Sequence, residues 1–384
     1  MVNRSVKKLP QDVVICVLLR LPVKSLLRFK CISKILYDLI LSNTFCKLHL
    51  KHTTTTKDEF ILFIRTFIEE PEQFRSIVSF FSGDDNDNLI TLFPDLDMSY
   101  LTSTSDTIFN VLIGPCNGLI VLTDSFIIVL LNPTTRKYFV VPPSPFGYPI
   151  GYYRNIEGIG FGFDSIANDY KISRLSDYYW DPPTDNRGPR DSKCEIYDLS
   201  IDSWRELDVV FPVIYYSPFS ELFYKEAIHW FTIKNDFVIL CFDISTEIFR
   251  TMEMPDACTT QAAPCYALSF LDEFLMLICY PYSLRSSDYT EDPLDIWLLK
   301  EYGESDSWIK KYTIRLLLVP IESPLTLWKN HLLLIQTRSG FLISYDLNFH
   351  EVKEFNLNGH PETLRVLRYR ESLTKLPSFS EQGI

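Results

Sequence analysis

From Leu9 onward the apolar positions fall three and four apart. Leu9, Val13, Val17, Leu18 and Leu21 make one helical stripe, with Pro10 and Asp12 suited to a first turn and Pro22 ending the run. The same spacing predicts a second short helix from about Lys24 to Cys31. A third, capped by Ser33, carries Ile35, Leu36, Leu39 and Ile40 on its apolar face, with Phe45 and Leu48 following. A module of about fifty residues buries a low fraction of its surface. So many apolar side chains imply either a partner or a role as a cap on the domain that follows.

Beyond the TTTT run at 53–56 the pattern changes to short apolar strands, tight polar turns and aromatics. One unit recurs as LNPTTRKYFVVPP at 131–143, YDLSIDSWREL at 197–207, FDISTEIFRTMEMP at 242–255 and YDLNFHEVKEFNL at 345–357. Asp198 and Asp243 are 45 residues apart; Asp243 and Asp346 are 103 apart, with WLLKEYGESDSWIKKYTI at 297–314 supplying the unit between them. A period near 45 is that of a four-stranded propeller blade. The strands ahead of these turns give five units, and 60–93 with the segment TLRVLRYRESL at 363–373 would make a sixth and close the ring. The expected architecture is α+β multidomain. A small helical domain over 1–52 precedes an all-β, kelch-like propeller of about six blades over 53–375 and a tail at 376–384.

Two units are too long, at DYYWDPPTDNRGPRDS (177–192) and PYSLRSSDYTEDPLD (281–295). Acidic, aromatic loops on a rigid scaffold are where recognition usually sits, although tolerated insertions look the same. Tyr179, Trp180, Asp181 and Asp185 in the first, and Asp288, Glu291 and Asp292 in the second, are the candidate substrate contacts.

Charge divides the chain as the patterns do. Residues 1–52 hold ten Lys/Arg against Asp12 and Asp38, a surplus of +8; the remainder holds 27 against 47, or −20, within a total of −12. The cations are interleaved with periodic apolar residues and few aromatics, which does not suit nucleic acid. The first residues contain no apolar signal core, and runs such as FIIVLL at 126–131 are too short to span a bilayer. Nine scattered cysteines show neither a CxxC pair nor histidines at ligand spacing, so reduced thiols in the cytosol are expected, with no disulfide framework and no zinc.

No catalytic constellation emerges. GIGFGFD at 158–164 lacks the third spaced glycine of a nucleotide loop and reads as a strand. DDNDN at 84–88 has Leu89 where a calcium loop needs glycine and Asp95 where it needs glutamate, so it reads as a solvated turn. His229 reads as a core histidine, and Cys116 has no base beside it in sequence. Neither an enzyme nor a cofactor or metal is expected.

The stretch LPQDVVICVLLRLPVKSLLRFKCISKILYDLILSNTF, 9–45, resembles the F-box of plant F-box proteins, with Leu36 where that family usually carries Trp. KDEFILF, IGPCNGLIVLTD, LLNPTTRKY, PPSPFGYPIGY, GFGFDSIANDYK, IYDLSIDSWREL, LYKEAIHWF, ILCFDISTEIFR and SPLTLWKNHLLLIQTRSGFLISYDLN resemble the F-box-associated region of nightshade-type S-locus F-box proteins. The resemblance implies a non-catalytic substrate receptor of an SCF ubiquitin ligase in the pollen-tube cytosol, with the nucleus as an alternative. Leu9, Pro10, Val14, Leu18, Leu21, Pro22, Leu26, Cys31 and Leu36 would meet a Skp-type adaptor that bridges to cullin. The propeller would hold non-self S-RNases, typically basic proteins, for ubiquitination. An S-locus-like receptor with an unrelated target, and a propeller scaffold outside any ligase, stand as alternatives.

Overall fold

The computed structural model describes residues 9–55, 60–69, 73–84, 86–98, 111–124, 127–147, 151–180, 191–212, 221–233, 236–259, 264–281, 293–315, 320–360, 363–376 and 382–383. Four helices come first: α1 Gln11–Leu18, α2 Val23–Phe29, α3 Lys34–Ile40 and α4 Asn43–Thr55. Pro10 and Pro22 stand at the N-caps of α1 and α2, where a missing N–H costs nothing. Ser33 Oγ caps α3 by accepting from the Leu36 N–H at 3.3 Å. The last helix runs through Thr53 to Thr55, so the threonine run begins as helix.

Six antiparallel sheets follow. Blade 2 is built from Val111–Cys116, Leu119–Thr123, Ile128–Asn132 and Lys137–Val140, in order from the ring axis outward. Blade 3 has Tyr152–Asp164, Asp169–Trp180, Asp191–Asp198 and Ser203–Leu207, and blade 4 has Leu222–Tyr224, Ala227–Ile233, Phe237–Asp243 and Ile248–Glu253. In blade 5 the strands are Pro264–Leu271, Phe274–Pro281, Leu294–Leu299 and Trp308–Ile314; in blade 6, Ile321–Trp328, Leu332–Thr337, Phe341–Asp346 and Val352–Asn358. Blade 1 takes Phe60–Glu69, Gln73–Gly83 and Leu89–Thr91 from the beginning of the domain and its inner strand, Arg365–Tyr369, from the far end. That strand pairs from Phe60↔Tyr369 to Ile64↔Arg365 and closes the ring. A second clasp was not legible in the sequence: Gln382–Gly383 pairs with Lys137–Val140 at the outer edge of blade 2.

The recurrent polar turn now has a cause. Asn132, Asp164, Asp243 and Asp346 each accept, through one side-chain oxygen, the backbone N–H groups two and three residues on, at 2.7–3.2 Å. Four residues after Asn132, Asp198, Asp243 and Asp346 the backbone turns left-handed, at Arg136, Asp202, Glu247 and His350, with φ of 51° to 60°. Between blades the side chains interdigitate in six apolar seams, one per pair of neighbours. GIGFGFD is the inner strand of blade 3, where a Cβ on Gly162 would come within 2.3 Å of Phe223 and one on Gly160 within 2.6 Å of Ile228.

The expectation of an all-thiol protein is corrected. Cys258 and Cys279 are bonded, because the short helix α5, Asp256–Thr259, folds from the end of blade 4 over the second strand of blade 5. His229 is fully buried between the Leu222 carbonyl (3.1 Å) and the Tyr302 hydroxyl (2.8 Å), and burial lowers it to about 4. Cys116 is buried too, which pushes its thiol far up. Asp84 of the DDNDN turn accepts from the N–H groups of Asn86 and Asn88. Among the described residues no group of three His, Cys, Asp or Glu could hold a metal ion, and no helix is long and apolar enough to cross a membrane.

Candidate functional site

The helical module has a small core of its own, formed by Leu18, Val23, Leu26, Ile40 and Phe45 and completed by Leu373 from the segment after the closing strand. That segment is also its seat. The Val23 N–H donates to Glu371 Oε2 at 3.1 Å, and burial pushes the Glu371 carboxyl above its usual range against the opposing pull of that N–H and of Lys24. Lys47 Nζ reaches Asn168 Oδ1 at 3.0 Å, and Lys24 Nζ lies 5.4 Å over the Phe93 ring. The module is therefore a cap on the propeller.

It remains greasy on the side away from the propeller seat. Leu9 (69% exposed), Val17 (56%), Ile32 (66%) and Ile35 (76%) project outward, and Leu9, Val14, Ile35, Leu36, Leu39 and Leu48 line one groove. Burying a side chain of this size contributes roughly 1.5–3 kcal/mol. A partner laid across the groove would gain several such terms.

Of the nine adaptor candidates, Leu9, Val14 and Leu36 share this groove. Pro10, Pro22 and Cys31 are exposed, and Leu21 is half-buried with its carbonyl 3.3 Å from His49 Nε2. Leu18 and Leu26, 5% and 0% exposed, are core residues, which is a correction to their reading as contacts. They hold the groove's framework and cannot touch a partner. Helical spacing alone could not separate the two roles. Ile35, Val17 and Leu48 were legible as apolar positions but not as exposed ones, since the faces of helices this short diverge within two turns.

Leu9→Asp combined with Ile35→Asp should therefore abolish adaptor binding, a loss of at least about 100-fold, with an unchanged melting temperature. Loss of binding accompanied by unfolding, or retained binding by pull-down, would overturn this assignment.

The second surface follows from topology. In each antiparallel blade the first and third turns open on one face, and the second turn and the connection to the next blade open on the other. The helical module touches first-turn residues such as Asn168 and leaves a cleft against Pro133–Arg136 of a third turn. The long insertions are second turns of blades 3 and 5, between Trp180 and Asp191 and between Pro281 and Leu294. The strand ends that flank both insertions thus lie on the face opposite the module. Tyr179 and Trp180 end their strand, paired with Tyr153 and Tyr152. Asp181, Asp185, Asp288, Glu291 and Asp292 lie outside the described residues.

A capping helical module with an exposed apolar groove, fixed to a closed six-bladed ring, defines a two-faced binding protein. The sequence matches the F-box associated beta propeller domain over residues 68–374 and the F-box domain over residues 7–48, so the chain belongs to the family of F-box proteins with an associated propeller. It is 25% identical to F-box protein CPR1 of Arabidopsis thaliana over 80% of this chain and 73% of that one. To the putative F-box/kelch-repeat protein At1g13200 of the same plant it is 27% identical, over 95% and 89%. Among solved structures, TolB from Acinetobacter baumannii aligns with a TM-score of 0.45 at 11% identity, over 80% of this chain and 66% of that one. An F-box joined to a propeller makes a non-catalytic substrate-recognition subunit of an SCF-type ligase, its F-box the seat of a Skp1-type adaptor and, through it, of cullin.

Proposed function

We propose that the propeller face opposite the F-box receives a basic protein, and that non-self S-RNases entering pollen tubes are that protein. The observation carrying this reading is the division of charge and of faces together. The region beyond residue 52 carries −20, and the strand ends that flank the two insertions, of which 282–293 is net acidic and 181–190 is charge-balanced, lie on the face opposite the turns that the F-box touches. A substrate there stays clear of the adaptor, and an acidic face speeds its encounter over a Debye length of about 8 Å at physiological salt. Choice among S-RNases would come from the shape of the loops and from desolvated aromatics such as Tyr179 and Trp180.

Exchanging Asp181, Asp185, Asp288, Glu291 and Asp292 for their amides should weaken S-RNase binding about tenfold or more at low salt and much less at ~0.5 M salt. Surface plasmon resonance across a panel of S-RNases at both salt levels reads this directly. Equal loss at both salts would remove the electrostatic account. Adaptor binding without binding to any S-RNase would favour a second reading, an F-box receptor for a different target, which the broad similarity to Arabidopsis F-box proteins supports.

A further inference from the structure

The cleft between α2 and the third turn of blade 2 has a volume of about 320 Å³. That is within the range of small-molecule sites, roughly 300–1,000 Å³, and junctions between domains are where such sites concentrate. Lys24, Leu27 and Arg28 recur at helical spacing on one face of α2 and form one wall. Opposite them stand Phe93 and Pro94, which follow the third strand of blade 1, with Phe93 held edge to face against Phe80 at 5.6 Å. Arg136, at the end of the blade 2 turn, completes the lining.

We propose that this cleft binds a small phosphate monoester carrying an aromatic ring, its phosphate held by Arg28, Arg136 and Lys24 and its ring laid against Leu27, Phe93 and Pro94. A comparison of the third turns carries the argument. The left-handed position of that turn is Asp202 in blade 3, Glu247 in blade 4 and His350 in blade 6, and there each side chain is engaged within the ring. Asp202 accepts from the Tyr197 hydroxyl, Glu247 accepts from Arg205 and Lys171, and His350 Nδ1 lies 3.0 Å from the Tyr345 hydroxyl. In blade 2 the same position is Arg136, whose side chain has no hydrogen-bond or ion-pair partner among the described residues and lines the cleft instead.

The Arg28 guanidinium, across the cleft, is likewise without a partner among the described residues. Lys24 lies 5.4 Å over the Phe93 ring and has Glu371 near it, the one acid among the described lining residues. That carboxyl is buried, already accepts from the Val23 N–H, and is pushed by burial toward its neutral form. Three cations thus face one space with at most one opposing charge, and an anion between them relieves their repulsion. Guanidinium groups match phosphate oxygens in geometry as well as charge. A bare phosphate ion would leave the apolar half of the cleft uncovered, which is why the ligand is assigned a ring.

The test titrates the full chain, purified with its adaptor, with phenyl phosphate, AMP and inorganic phosphate in an isothermal titration calorimeter. At least one of the two ring-bearing probes should fill one saturable site, about tenfold or more tighter than inorganic phosphate, and should raise the melting temperature by tying α2 to blades 1 and 2. Arg136→Gln should lower that affinity about tenfold or more and leave the unliganded melting temperature unchanged, since the side chain has no bond within the ring to lose. Arg28→Gln should do the same. No binding of either ring-bearing probe up to about 10 mM, inorganic phosphate binding as tightly as both, or unchanged affinity in Arg136→Gln overturns the site.

Discussion

A chain ending at Thr363 should neither unfold cooperatively nor hold an adaptor. The cut removes the inner strand of blade 1 and exposes the backbone edge of Phe60–Glu69 along its register from Phe60 to Ile64. It also deletes Leu364, Val366, Tyr369, Leu373 and Leu376, all buried. At roughly 1.5–3 kcal/mol each, their loss approaches the ~5–15 kcal/mol that separates a folded domain from its unfolded chain. The F-box suffers with the ring, since the Glu371 bond to Val23 and the Leu373 plug disappear together. Urea denaturation followed by circular dichroism, with an adaptor pull-down beside it, is the measurement. A single sharp transition at the wild-type midpoint would show that the ring does not depend on this closure.

The largest single-residue effect is expected at Glu195. Its carboxylate is wholly buried in blade 3, where Oε2 accepts from Arg174 Nε at 2.8 Å, from Arg174 Nη2, and from Arg154 Nη2 at 3.1 Å. Arg174 in turn lies 4.8 Å over Trp204, and burial lowers its guanidinium against the support of Glu195. Glu195→Ala strands a buried cation and should cost about 3–5 kcal/mol. Combining Glu195→Leu with Arg174→Met should recover most of that, since removing both charges also removes the desolvation penalty. Because these strands carry the insertion that begins after Trp180, substrate binding should fall with stability in the alanine variant and return in the double one. Thermal denaturation of Glu195→Ala within about 1 kcal/mol of wild type would mean that the pair does not hold the blade.

How much of this was legible beforehand follows from how local each signal is. The helix stop at Pro22 and the starts at Pro10 and Ser33 are short-range signals, and so are the Asx turns at Asn132, Asp243 and Asp346 that mark the blades. The sixth blade could be read because 60–93 holds strands outside the five repeats, and TLRVLRYRESL, after the last repeat, could pair with them to close the ring. Gln382–Gly383 is too short to carry any pattern, and Cys258 and Cys279 meet only because the fold brings a loop back over a neighbouring blade. Leu18 and Leu26 were misread because an apolar stripe on a helix of seven or eight residues does not reveal which side will be covered by its own domain. The insertion residues could be nominated from composition alone, since recognition loops obey no periodicity.

Ring closure by Arg365–Tyr369 also sets a timetable. The strand Phe60–Glu69 leaves the ribosome about 300 residues before its inner neighbour, which at ~5–20 residues per second is on the order of 15–60 s. Throughout that interval the inner edge of blade 1 has no native partner, and the segment that seats the F-box does not yet exist. A prematurely terminated chain would thus carry an F-box without its seat and a ring without its clasp. Competence to join the ligase is tied to completion of the propeller, so synthesis itself screens out receptors that could occupy an adaptor without holding a substrate.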